Sequence, residues 1–341
     1  MAIEYFRHAH HHTDRSDMDP NDPYHSDDDG TSSDTSEDVI EVPQDEIPDY
    51  FQERDGRLFH SHGSSPYPLP VDAEEHQRQN GLNTLLRRLI GDLFVGPVRE
   101  LLAFAPGEQR RVVDLGTGTG QWVLDMAREF PHVRFHGVDI VPIATRYPPH
   151  NVRFEMHNIM EPFWYANGSV DFVHARSISM AIRDYRALLQ EVGRILRRGG
   201  LFVSIEWGRF PAMEDGSDVA IRAPRAYAFF SAIRETLRVR RGIEPIASSI
   251  PRFLEETRQF TDIQTQRFQA PIGEWPTDPA RKEMGREFRE MMILYANSMK
   301  AVLQEGPFTL LADALVEGYI RDISSVPGIV STCFTVHARR V

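Results

Sequence analysis

Residues 110–141, RRVVDLGTGTGQWVLDMAREFPHVRFHGVDIV, contain the pattern that decides the fold. An apolar run leads into the glycine turn 114–120, a helical spacing of apolar residues follows, and a second apolar run ends at Asp139. This order predicts a right-handed βαβ unit that binds a nucleotide-like ligand at the carboxyl ends of its strands. The alternating glycines let the backbone approach that ligand where any Cβ would intrude. Asp139, 19 residues after Gly120, is placed to accept hydrogen bonds from both ribose hydroxyls.

The turn differs from a dinucleotide fingerprint at two positions. The fingerprint has its third glycine where this chain has Gln121, and it includes no acid at the position of Asp114. A carboxylate at that point would repel a pyrophosphate but would attract an ammonium group. S-adenosylmethionine carries an ammonium group and no phosphate, so we predict that it is the cofactor. The alternative is a glycine turn kept only for close packing of a strand against a helix.

Composition and charge narrow the class of protein. The chain has 341 residues, of which 41% are hydrophobic and 26% charged, and no apolar run approaches the roughly 18 residues of a membrane span. Its net charge of −12 comes mainly from residues 14–49, which hold 14 acidic residues and one Arg. We therefore expect no membrane segment and no direct nucleic-acid binding. The single cysteine, Cys333, and a first segment without an apolar core predict a cytoplasmic or nuclear location.

The chain divides into three parts by composition. Residues 1–49 are polar and acidic and predict a disordered tail, whose histidines do not predict a metal site. Residues 50–104 predict an extended arm followed by N-terminal helices, the first of which begins at Asp72. Residues 105–341 predict the domain that binds the methyl donor, with a helical insertion at about 279–323 over the substrate side.

Strands and helices alternate after Asp139, which predicts an α/β fold. The expected fold is a doubly wound, mostly parallel, seven-stranded Rossmann-like sheet with N-terminal helices and a C-terminal helical insertion. A helix over 183–197 is expected to end in two basic residues and a glycine cap at 199–200. The other expected strands are 152–156, 170–175, 201–207, 262–269 and 328–340, and the other expected helices are 223–240, 248–260, 279–304 and 307–323.

With these elements placed, the chain resembles the class I S-adenosylmethionine-dependent methyltransferases. More narrowly, it is similar to the fungal LaeA-type group, whose members include regulators of secondary metabolism. The resemblance covers about 50–340. Its most specific segments are GRLFHSHGSSPYPLPVDAEEHQRQN (56–80) and VDFVHARSISMAIRDY (170–185), joined by VVDLGTGTGQW (112–122), GVDIVPI (137–143), PPHNVRFEMHNIMEPF (148–163) and EVGRILRRGGLFVSIEWG (191–208).

The resemblance implies a set of residues that hold the donor. The turn residues Gly116, Thr117, Gly118 and Gly120 would pass under its methionine part, and Asp114 would face its ammonium group. Asp139 would bind the ribose hydroxyls.

The adenine end of the donor site departs from the group. Ile140 would lie against the adenine, with His157 and Asn158 beside its amino group. The group often has paired acids at these two positions, but the Asn158 carbonyl oxygen can still accept a hydrogen bond. Arg176, at the end of the fourth strand, is a further candidate to contact the donor or the acceptor.

Methyl transfer from a sulfonium depends chiefly on alignment, although an oxygen or amine acceptor can also need a base. Glu206 and His174, near the strand ends, are the candidate bases. The fourth strand is not followed by Asn-Pro-Pro-Tyr/Phe, which argues against the amide- and adenine-methylating families. Three functions remain open: methylation of a small-molecule acceptor, regulatory methylation on or with a protein partner, and donor binding without catalysis.

Overall fold

A computed structural model describes residues 6–8, 39–41, 43, 45–142 and 148–341 of the chain. Most of the predicted tail, 1–49, lies outside the described residues, so its disorder stays a prediction. Two short strands are described within that range, β1 (Phe6–His8) and β2 (Val39–Glu41). They pair with each other, and β1 also pairs with one edge of the main sheet.

The predicted arm begins with a hairpin of two strands, β3 (Phe51–Arg54) and β4 (Arg57–His60). It leads into helix α1 (Ala73–Ile90), where the Asp72 carboxylate caps the first turn by accepting a hydrogen bond from the Glu75 amide at 3.1 Å. The same carboxylate binds Arg57 at 2.6 Å and so ties the hairpin to the helix. A short helix, α2 (Val98–Leu101), follows the predicted break at Gly96-Pro97.

The main sheet has the predicted α/β character. Five of its strands are parallel, in the order β7-β6-β5-β8-β9, and β12 joins β9 antiparallel with β11 paired to its far side. Together with the edge strands β1, β2 and β10 the sheet reaches ten strands, three more than predicted, but its seven longer strands form the expected doubly wound core. The strand bounds are β5 (Arg111–Leu115), β6 (Arg134–Asp139), β7 (Val152–Met156), β8 (Val170–Arg176), β9 (Leu196–Trp207), β10 (Ala212–Met213), β11 (Phe260–Pro271) and β12 (Ile329–Arg340).

Helices cover both faces of this sheet. One apolar core joins α1, α2 and α3 to one face, and a second joins α4 and α7 to the other. A third core unites the arm with α6, α8 and α9, so the predicted insertion packs as a helical layer of its own. None of the described helices combines the length and the apolar character needed to cross a lipid bilayer. The helix bounds are α3 (Gln121–Glu129), α4 (Tyr185–Ile195), α5 (Val219–Arg222), α6 (Pro224–Arg241), α7 (Ile250–Thr257), α8 (Pro279–Glu305) and α9 (Ala312–Ser325).

The boundary between α4 and β9 corrects the sequence prediction. The helix ends at Ile195, and Leu196 is already extended and pairs with Val170 of β8. Residues 197–200, predicted as a basic helix end with a glycine cap, instead form a bulge near the start of β9, before Leu201 pairs with Phe172 of β8. Arg197 donates instead to the Asp171 carboxylate at 2.5 Å. Strand pairing and this ion pair outweigh the local helical signal, because tertiary contacts override short-range propensity.

Candidate active site

One cavity of about 240 Å³ lies at the carboxyl ends of the parallel strands. The loops after β5, β6, β7, β8 and β9 form its floor. Its other walls come from the arm, α1, α6 and α8, which are distant from those loops in sequence. This edge of a doubly wound sheet is where ligands bind in such folds, because the strand ends and helix N-termini converge there.

The glycine turn brings backbone rather than side chains to the cavity. Gly116 and Gly118 line it with φ values of 64° and 58°, a region that favours glycine. A Cβ on Gly116 would lie 2.7 Å from Ile178 Cγ2. Gly120 is not among the residues that line the cavity, and a Cβ there would lie 2.6 Å from Phe154 Cζ, so its place under the donor stays a prediction. The Thr117 hydroxyl is buried beside the cavity and has no hydrogen-bond partner within the described ranges, so it is free to bind a ligand.

Asp139 ends β6 with its carboxylate held by the backbone. One oxygen accepts a hydrogen bond from the Gly118 amide at 2.8 Å, and the other accepts from the amides of Ile140 at 2.7 Å and Val141 at 3.3 Å. Burial nevertheless raises the pKa of this carboxyl to about 6. A carboxylate has about four acceptor sites, and the three backbone contacts use three of them, so one site on Oδ2 remains for a hydroxyl group of a ligand.

Asp114 and His174 form a buried pair at the floor of the cavity. His174 Nδ1 lies 2.7 Å from Asp114 Oδ1, and the imidazole stacks on the Trp122 ring at 3.7 Å between centroids. Burial lowers the pKa of His174, so the ring is neutral near pH 7 and its Nδ1–H donates to the carboxylate. Asp114 lines the cavity, whereas His174 is fully buried behind it. His174 therefore contacts the acid rather than the space where an acceptor would bind.

Glu206 occupies a different place from His174, although both are candidate bases. Glu206 lines the cavity at the end of β9, with 1% of its surface exposed, and its carboxyl accepts hydrogen bonds from the Ile178 amide at 2.8 Å and from Ser179. Burial raises the pKa of Glu206 to about 7. Of the two candidates, only Glu206 combines access to the cavity with a pKa suited to accepting a proton near neutral pH.

Ile140, His157 and Asn158 line the cavity beyond Asp139, as predicted for the adenine end. Asn158 Oδ1 accepts a hydrogen bond from the Met160 amide at 3.1 Å, and Nδ2 donates to Glu161 Oε1 at 2.9 Å. One lone pair of the Asn158 carbonyl oxygen remains available to an amino group.

Arg176 links the fourth parallel strand to the N-terminal helices. Its Nη1 donates to Asn83 Oδ1 of α1 at 2.7 Å, and the side chain lines the cavity. Ser177, the next residue, has a φ of 57°, which is unusual for a residue with a side chain. Such backbone strain is found where the surrounding structure fixes a binding loop.

The cavity also contains residues that the sequence interpretation did not single out. Tyr67 comes from the arm, Arg78 from α1, Arg209 from the loop after β9, and Tyr295 from α8. One sequence signal was present: Glu75 and Arg78 are spaced for an ion pair on one helix face. That pair is buried, with Arg78 Nη2 at 2.6 Å from Glu75 Oε1. In the chain as far as the structure describes it, no three His, Cys, Asp or Glu side chains are grouped as metal ligands.

Comparison with known proteins agrees with this geometry. A methyltransferase domain family matches residues 75–270. Methyltransferase pytC of Aspergillus terreus is 30% identical over 241 residues, which cover 70% of this chain and 71% of that protein. The secondary metabolism regulator laeA of Coprinopsis cinerea is 28% identical over 281 residues, which cover 80% of this chain and 69% of that protein.

A third relative, methyltransferase str2 of Strobilurus tenacellus, is 23% identical over 262 residues, covering 76% of this chain and 90% of that protein. The predicted family is confirmed by the extent of these matches, and the cofactor is S-adenosylmethionine. The chain belongs to the methyltransferase domain family, as a class I S-adenosylmethionine-dependent methyltransferase of the LaeA type.

Proposed function

We propose that this enzyme methylates an oxygen or amine of a small-molecule acceptor in secondary metabolism. The observation that carries the proposal is the continuity of the cavity, which reaches from the glycine turn past Glu206 to the side chains of α8. Walls from the arm, α1 and α8 suit a small molecule better than a folded protein surface. The two methyltransferases and the regulator among its relatives support a role in secondary metabolism.

The donor is held by residues of the parallel strands. Asp139 accepts hydrogen bonds from the ribose hydroxyls at its carboxylate. Asp114 faces the ammonium group, and the turn at Gly116 and Gly118 passes under the methionine part. Asn158 and Ile140 contact the adenine.

His174 positions Asp114. The Nδ1–H bond at 2.7 Å fixes the carboxylate, and the stacked Trp122 ring fixes the imidazole. Because a charge-assisted hydrogen bond is about twice as strong as a neutral one, it holds the acid in one orientation toward the ammonium group.

Glu206 accepts the proton that the acceptor releases. Bound S-adenosylmethionine supplies an activated methyl group on a sulfonium and leaves as the neutral thioether. As the new bond to the acceptor forms, the acceptor oxygen or nitrogen loses its proton to the Glu206 carboxylate. A pKa near 7 lets this group take up the proton during the reaction and release it to solvent afterwards.

The test is transfer of labelled methyl from S-adenosylmethionine into a fungal metabolite extract and, in parallel, into the extract's protein fraction. We expect label in compounds of low molecular mass, and at least about 100-fold slower labelling after Glu206→Gln. Label confined to protein would support the regulatory alternative, and donor binding without label in either fraction would support a binding module without catalysis. Cytoplasmic or nuclear location stays a prediction, which imaging of a tagged full-length chain would test.

A further inference from the structure

Three arginines line the cavity, and two of them have partners. Arg78 is paired with the Glu75 carboxylate, and Arg176 donates to the Asn83 amide. Arg209 differs, because its Nη1 is buried yet has no hydrogen-bond partner anywhere in 45–142 or 148–341. Its guanidinium therefore has binding capacity that the folded chain does not use.

A second donor in the same cavity lining is also unused. Trp207, two residues before Arg209, lines the cavity, and its Nε1 is buried without a hydrogen-bond partner in the part of the chain that the structure describes. Burying a charged or polar donor without a partner is costly, and the cost is offset when an anion supplies the missing acceptors. Two N–H donors that lack acceptors in one cavity indicate a site for an anion, and a carboxylate matches the guanidinium best.

The position of Arg209 favours the acceptor as the source of that carboxylate. Arg209 follows β9 and lies two residues after Trp207, whose ring centroid is 5.1 Å from that of Phe288 in α8. Asp114, the acid proposed to face the donor's ammonium group, is on β5, and the neighbouring strand β8 carries Arg176. Strand β9, which leads to Arg209, is one strand further from Asp114.

We propose that Arg209 and the Trp207 N–H bind a carboxylate of the acceptor, which makes the acceptor a small carboxylic acid. This inference rests on the proposed function. The side chains of Phe230, Phe288 and Met292 line the same end of the cavity and provide an apolar surface for the rest of the molecule. The acid group anchors the acceptor beside Glu206, which takes the proton from the group to be methylated.

The test compares acids with their neutral isosteres. Calorimetry on the enzyme saturated with S-adenosylhomocysteine would measure 4-hydroxybenzoate and 4-hydroxycinnamate against their primary amides. We expect each acid to bind at least about tenfold more tightly than its amide in the wild type. Arg209→Gln should abolish that preference, Arg209→Lys should keep part of it, and Arg222→Gln, an exposed arginine paired with Asp215, should leave it unchanged.

The inference would be overturned if neither acid bound more tightly than its amide, whether or not the compounds bind, or if the preference for the acid survived Arg209→Gln. It would also be overturned if Arg209→Gln bound S-adenosylhomocysteine more weakly, because the guanidinium would then belong to the donor's own carboxylate. The labelling experiment distinguishes failure of this inference from failure of the proposed function. Transfer of label to neutral small molecules alone would overturn this inference and leave the function standing, whereas label in protein alone would overturn the function.

Discussion

The two ends of the cavity are built in different ways. The proposed donor end comes largely from one continuous unit, β5 to β6, and it presents backbone amides, positive-φ glycines and an acid held by three N–H groups. The proposed acceptor end is assembled from side chains of the loop after β9, α6 and α8, while the arm and α1 border both ends. These segments are separated by long stretches of chain.

The two ends can therefore be perturbed separately. Backbone contacts at the proposed donor end do not depend on side-chain identity, so substitutions on the acceptor side should leave them in place. At the acceptor end the fixed elements are ion pairs between segments, such as Arg241 with Glu305 at 2.5 Å. Substitutions at the donor end should therefore lower the affinity for the donor. Substitutions at the acceptor end should lower the rate of methyl transfer or the affinity for the acceptor.

The largest separation is expected for Glu206→Gln. Loss of a general base lowers turnover by about 10²- to 10⁴-fold, whereas the affinity for S-adenosylhomocysteine should stay within about twofold. Steady-state kinetics and calorimetry measure the two quantities. Glu214→Gln, which removes an exposed carboxylate paired with Arg281, is the matched control. If Glu206→Gln lowered donor affinity as much as turnover, Glu206 could not be assigned to the acceptor end.

The second largest effect is expected from pH, which should change turnover and donor affinity over different ranges. Glu206 must be ionised to accept a proton, and its pKa is raised to about 7, so turnover should rise about tenfold per pH unit below 7 and level off above it. Asp139 has a raised pKa of about 6 and must be ionised to bind the ribose well, so donor affinity should fall only below about pH 6. Between pH 6 and 8 turnover should change while donor affinity stays constant. A turnover that is flat across this range would contradict the assignment of Glu206.

A smaller effect, confined to the donor end, is expected from His174→Leu. Without its hydrogen bond, Asp114 loses its fixed orientation, and S-adenosylhomocysteine should bind about tenfold more weakly. 5′-Methylthioadenosine, which lacks the ammonium group, should bind as it does to the wild type. His174→Asn, whose amide can replace Nδ1–H, should restore most of the affinity. Weakening of both ligands to the same extent would mean that His174 only supports the fold.

The smallest effect is expected from loosening the acceptor end with Arg241→Ala. Arg241 binds Glu305 and donates to the carbonyl oxygens of Pro66 and Tyr67 at 3.1 and 3.2 Å, so it ties the arm to α8. Its removal should raise the KM for the acceptor about threefold, in line with the modest value of an ion pair that is partly exposed. The donor KM should not change. A change confined to the donor KM would show that the arm belongs to the other end.

The donor end could be predicted from sequence because its signals are local. Asp114, the glycine turn and Asp139 all lie within one βαβ unit, and the structure places these acids and two of the glycines at the cavity. Strand alternation also places His174 and Arg176 on one face of β8. The Asp114 carboxylate interacts electrostatically with both side chains. The alternation could not predict how deeply each side chain is buried. His174 is fully buried, whereas Arg176 lines the cavity.

The acceptor end could not be predicted because it depends on packing between distant segments. Nothing near Arg209 in sequence indicates that its partners would be missing, since this is a property of the folded surroundings. The residues after α4 illustrate the same limit. Arg197 to Gly200 look like a helix end, but they form a bulge in β9 between Leu196 and Leu201, which both pair with β8.

We infer above all that the carboxyl ends of the parallel strands bind S-adenosylmethionine through Asp139. The most direct measurement is calorimetric titration of S-adenosylmethionine into the wild type, Asp139→Ala and the control Asp215→Ala, whose acid is exposed and far from the turn in sequence. We expect binding to the wild type and the control, and an affinity about 100-fold lower for Asp139→Ala, because the carboxylate that accepts hydrogen bonds from the ribose hydroxyls is lost. Unchanged affinity in a folded Asp139→Ala variant, or no binding to the folded wild type, would contradict the claim.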